Sequence, residues 1–135
     1  DWENAIKVCH NNIYELLREM QHQAKLLASA YMRSGDYEKA EIYYRTALGI
    51  GYDYYATLGL VFIYKAKGNY DEAVKILEDI FQKEPYNSRT LYELVMCYKD
   101  MGEQQKAVKV LEDQILANNQ ISAPLMEIYN NLKAK

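Results

Sequence analysis

The chain has 135 residues, 50% of them apolar and 26% charged, with a formal net charge of −3. That composition excludes disorder, and the length is that of one domain able to bury about two-thirds of its unfolded surface. The acidic balance leaves no overall basic footprint for nucleic acid, and the longest apolar run falls far short of the ~20 residues of a membrane span, so neither nucleic-acid binding nor membrane insertion is expected. Cys9 and Cys97 have neither metal-ligand spacing nor a CxxC pair, and read as buried small hydrophobes in a reducing, cytoplasmic setting.

Residues 1–20 open on DWENAIKVC, which reads like DYEKAEIYY at 36–44, with Trp2 for Tyr37 and Ala5 for Ala40. This is the pattern of the second helix of a helical pair, standing here as a partial repeat. Neither Gly nor Pro falls between Glu3 and Met32, so one long rod competes with two helices; two are expected.

Residues 21–53 carry apolar positions at separations of three, four and seven: Leu27, Ala28 and Tyr31, then Ala40, Tyr43, Tyr44, Ala47 and Leu48. Such spacing puts side chains on one helix face, and predicts two amphipathic helices divided at SGD, 34–36. Gly35 closes the first helix in the left-handed conformation, and Asp36 caps the second. The same organisation returns at 54–87, with Gly68, Ala73 and the capping pair Asn69 and Glu72, and at 88–121, with Gly102 and Ala107. The three turn glycines lie 33 and 34 residues apart, as do Ala40, Ala73 and Ala107. Small alanines belong where two helices cross most closely. Residues 122–135 place Leu125, Ile128, Tyr129 and Leu132 on one face after Pro124, a final capping helix.

A helical hairpin of this period, with glycine at the turn, tyrosine about it and alanine one turn into the second helix, resembles the tetratricopeptide repeat. The signature falls on Leu27, Ala28, Tyr31, Gly35, Tyr37, Ala40, Tyr44 and Ala47, on Leu60, Tyr64, Gly68, Tyr70, Ala73, Leu77 and Pro85, and on Leu94, Tyr98, Gly102, Ala107 and Leu111. Ala24, Thr57 and Leu91 replace the family's opening tryptophan, and Gln104 and Gln114 replace the tyrosine and alanine usual in the third repeat. The resemblance implies an all-α fold, a right-handed α-solenoid of antiparallel helix pairs forming one domain.

Nothing points to catalysis or a cofactor. His10 and His22 form no metal motif, no nucleophile elbow or phosphate loop occurs, and adjacent acids such as Glu78 and Asp79 diverge by about 100° on a helix. The resemblance implies instead a concave wall built from the first helix of each pair, binding another protein as a peptide or amphipathic helix. The expected groove residues are Lys25, Leu26, Met32, Tyr55, Leu58, Phe62, Lys65, Arg89, Tyr92 and Met96. That face carries Lys25, Arg33, Lys65, Arg89 and Lys99 against Glu93 and Asp100, so an apolar, partly acidic ligand is expected. The family's carboxylate clamp for chaperone tails is not: Lys25 and Arg89 fit it, whereas Ser29, Gly59 and Glu93 do not. Self-assembly into an oligomer or longer array is the second reading, and single-stranded RNA binding in the manner of pentatricopeptide repeats a third, disfavoured by the scarcity of groove cations.

Overall fold

Gly35, Gly68 and Gly102 adopt φ of 86°, 79° and 79°, the left-handed region that costs glycine least, and each closes a helix as the sequence predicts. In the computed structural model, which describes residues 1–85, 87–117 and 119–134, the order is α1 (Trp2–Ser34), α2 (Tyr37–Ile50), α3 (Tyr54–Ala66), α4 (Tyr70–Lys83), α5 (Ser88–Asp100), α6 (Gln104–Leu116) and α7 (Ala123–Lys133). No strand occurs among the described residues. The fold is an all-α array of helix pairs, and it divides into two compact units, Asp1–Ile63 and Tyr64–Lys135.

In the first unit α1 packs on α2 as an antiparallel hairpin. Ala28, Ala40 and Ala47 are fully buried where the two helices meet, as small residues at a crossing should be. Tyr31 stacks on Tyr43 with ring centroids 5.6 Å apart and planes 8° from parallel. The Asp36 carboxylate caps α2, accepting from the Lys39 amide at 3.2 Å. At the other end the Gln21 amide donates to the carbonyl of Ala47 at 3.2 Å, which also accepts from the Gly51 N–H, and to that of Gly51 at 2.8 Å, just past the end of α2. Ala24, Ala47 and Ala56 form a small core under Tyr44 and Leu48.

The expected break in α1 does not occur. The helix runs unbroken for 33 residues because nothing in its sequence stops it, and the part before Gln21 buries no residue. Every residue from Asp1 to Met20 is exposed, Cys9 among them, so only Cys97 is the buried thiol that the sequence suggests for both.

In the second unit α4 packs on α5, α5 on α6 and α6 on α7. Leu77, Leu94, Leu111 and Leu125, one from each helix, are at most 1% exposed. Truncating any one of them to alanine should cost about 2–5 kcal/mol. Asn87 caps α5 through its side chain, accepting from the amides of Arg89 and Thr90. Asn69 stands at the N-cap of α4 without a side-chain bond, so the expected capping box is not formed. Pro124 occupies the first turn of α7, where its missing N–H removes no helical bond. Glu112 of α6 holds α7 in place, accepting from Tyr129 at 3.2 Å and from Lys133 at 3.0 Å.

Candidate functional site

Three residues of the expected groove come together in the first unit. His22, Lys25, Leu26 and Ser29 share one face of α1, and with Tyr44 of α2 and Tyr55 of α3 they line an open cavity of about 280 Å³. Tyr55, in the first turn of α3, is 70% exposed, and Leu26 is 49% exposed, so two large apolar surfaces border this space without a core to fill. The Tyr55 ring meets Tyr54 edge-on at 5.6 Å, which limits its freedom.

The polar side of the cavity is built on Asp53, just before α3. Its Oδ1 accepts from the Ala56 amide at 2.9 Å, capping the helix that carries Tyr55, and its Oδ2 pairs with Lys25 Nζ at 2.8 Å. Burial alone would push the pKa of this carboxyl up, but the Lys25 ammonium and the amides of Ala56 and Tyr55 outweigh it and hold Asp53 below the usual carboxylate range. Lys25 is therefore anchored and largely neutralised by its own chain. Tyr44 moves the other way: burial pushes its hydroxyl up, only partly opposed by Arg33, so it stays a hydrogen-bond donor across the physiological range.

One expected groove position on α3 is covered instead, together with its neighbour Gly59. Leu58 is 2% exposed, and Gly59 is buried beneath the Tyr44 ring. A β-carbon at 59 would overlap Cζ, Cε1 and Cε2 of that ring, so glycine is what lets the tyrosine lie there. Leu58 therefore drops out of the exposed lining. Met32 and Phe62 are half-buried.

In the second unit, Arg89, Tyr92 and Met96 follow one face of α5; Arg89 is exposed, Tyr92 is 37% exposed and Met96 half-buried. Between them Glu93 is 9% exposed and pairs with Lys65 at 3.4 Å. Lys65 and Lys25 thus each answer an acid within their own unit, which leaves, among the described residues of the expected face, Arg33 in the first unit and Arg89 and Lys99 against Asp100 in the second. The same unit has a cavity of about 520 Å³ where Gln114 faces the loop before α7. Gln114, standing where the family usually has alanine, accepts from the Asn119 amide side chain at 2.7 Å and so ties that loop to α6.

Sequence reasoning missed Asp53 and Tyr44 as parts of the site. Asp53 carried a signal, an acid three residues before Ala56 at a helix start; Tyr44 carried only its role as a packing residue. Among the described residues no cluster of three His, Cys, Asp or Glu is placed to hold a metal ion, and no helix is long and apolar enough to cross a membrane.

Comparison with known proteins bears on this arrangement. Tetratricopeptide repeat models match residues 64–134 and 23–54. No curated protein matches the chain in sequence. Among solved structures, the chain is similar to the Sgt2 TPR domain from Aspergillus fumigatus, with TM-score 0.67 and 23% identity over 84% of this chain and 77% of that one. Yeast Tom70 is similar at TM-score 0.70 and 18% identity over 85% of this chain, which spans only 24% of that protein. The second TPR domain of human RPAP3, solved in complex with the HSP70 peptide SGPTIEEVD, is similar at TM-score 0.62 and 15% identity over 85% of this chain and 99% of that one. Identities this low speak for the fold. With its turn glycines, crossing alanines and terminal helix in place, and one repeat model spanning more than half its length, the chain belongs to the tetratricopeptide repeat family.

Proposed function

We propose that this protein is a non-enzymatic interaction module that takes an apolar segment of another protein, as an extended peptide or an amphipathic helix, into the cavity between Leu26, Tyr44 and Tyr55. The observation that carries this reading is the exposure of Tyr55 at 70% on a capped helix start, beside an apolar hollow that no side chain of the described chain fills. Large aromatic side chains held rigid at a concave site are the residues that contribute most to binding when a partner covers them. Arg89, Tyr92 and Met96 offer a second apolar and cationic patch, on α5.

A partly acidic ligand fits the remaining chemistry. Arg33 and Arg89 are exposed, and Lys25 keeps donors beyond the one given to Asp53. The RPAP3 domain binds a peptide with both apolar and acidic residues, which supports the same ligand class here. A carboxylate clamp is a poor description of this site, because Lys25 and Lys65 are matched by Asp53 and Glu93. The reading is tested by titrating labelled peptides of graded hydrophobicity and acidity into protein with assigned amide resonances. Perturbations centred on residues 22–29, 44 and 55 are expected; a ligand that perturbs only other surfaces would remove the proposal.

A further inference from the structure

The first twenty residues of α1 carry a surface that the peptide-binding reading does not use. Trp2, Ile6, Cys9, Ile13, Leu16 and Met20 are spaced four, three, four, three and four residues apart, a heptad-type stripe, and all six are exposed, Trp2 at 86% and Leu16 at 65%. The same face continues one turn beyond Met20 into Ala24, which is buried against Ala47 of α2. One continuous helix face is therefore an established interface over its second half and bare over its first. An isolated helical segment of this length is marginal in water, and a stripe about 27 Å long that includes a tryptophan is a large apolar surface to leave wet.

We infer that the bare half of α1 is the interface of a homodimer, in which α1 of a second copy lies antiparallel on residues 2–20. The spacing is self-complementary: read backwards it is unchanged, so about a centre at Asn11 Trp2 faces Met20 of the second copy, Ile6 faces Leu16 and Cys9 faces Ile13. A two-fold axis then satisfies both copies with one set of contacts.

The position of α2 selects this direction. Gln21 bonds the carbonyls of Ala47 and Gly51, so the C-terminal end of α2 lies beside α1 at the level where the bare half begins. A parallel α1 would run along the stripe into the space α2 already fills. An antiparallel one begins at its own Trp2 beside Met20 and continues in the direction of α2, bringing its positive N-terminal end to the C-terminal end of α2, whose last turn has no basic residue. The flanking positions meet without contacts between like-charged carboxylates or ammonium groups: Glu3 falls near Leu17 of the second copy, His10 near His10, Ala5 near Glu19, and Asn12 near Asn12.

The test is sedimentation of the reduced 135-residue chain from low-micromolar to near-millimolar concentration, beside an Ile6→Glu, Ile13→Glu variant. Wild type should shift from 15.8 kDa toward twice that mass, and the variant should stay monomeric with unchanged helicity, since both side chains are at least 52% exposed. Direction is read with Ile13→Cys: mild oxidation should link residue 9 to residue 13 of the other copy, whereas Cys9 in the unmodified dimer should not pair with itself, its α-carbons lying beyond disulfide reach. A monomer at every concentration, an assembly larger than two, a dimer indifferent to the glutamates, or a dominant link between the two Cys9 residues would each overturn the inference.

Discussion

Lys25 and Asp53, twenty-eight residues apart, form a 2.8 Å ion pair in which the same carboxylate also caps α3. This couples the placement of Tyr55 to the face of α1. Asp53→Ala removes both functions and should destabilise the first unit by about 1–2 kcal/mol, while Asp53→Asn, which keeps a capping acceptor, should cost less. Because the folded carboxyl is held below its ordinary value, its contribution is complete above about pH 3.9 and is lost as pH falls further, through the depressed folded value. Denaturant unfolding followed against pH should show this acid loss in wild type and not in Asp53→Asn.

Gly59 and Tyr44 make a packing pair that sets one wall of the cavity. Gly59→Ala forces the Tyr44 ring off its position and should destabilise by about 1–3 kcal/mol, the usual range for overpacking. Combined with Tyr44→Leu, the cost should be smaller than the sum of the two single changes, since the overlapping ring is gone. A double-mutant cycle by thermal or denaturant unfolding measures the difference directly.

The turns, the crossing alanines and α7 were legible because each is a local rule: a left-handed residue at a helix end, a small residue at a close crossing, an apolar face after proline. Continuity of α1 was not, since the tandem pattern argued for a break while the residues between Glu3 and Met32 held no stop signal; local propensity prevailed. Leu58 is misassigned for a different reason. Counting helix positions gives the direction of a side chain from its own axis but not the reach of a neighbour such as Tyr44, whose ring lies over the adjacent Gly59. Charge was misjudged likewise: Lys25 and Lys65 were counted as free cations, whereas folding brings Asp53 and Glu93 to them from other helices or turns.

Tyr98 of α5 is 6% exposed and donates to Glu78 of α4 at 2.5 Å. Burial, reinforced by the adjacent carboxylate, holds its hydroxyl far above the usual tyrosine range. Tyr98→Phe should cost about 1 kcal/mol. In wild type the raised folded value means that the tyrosine's contribution is intact below about pH 10 and is lost as pH rises beyond that. Alkaline unfolding curves should therefore be shallower for the phenylalanine variant.

The measurement that bears most directly on the interaction-module account is the affinity of one bound peptide for wild type, Tyr55→Ala and a surface control such as Lys109→Ala. The account predicts a loss of about 2 kcal/mol, roughly thirty-fold in Kd, for Tyr55→Ala with helicity unchanged, and no loss for the control. Equal affinity of wild type and Tyr55→Ala would contradict it.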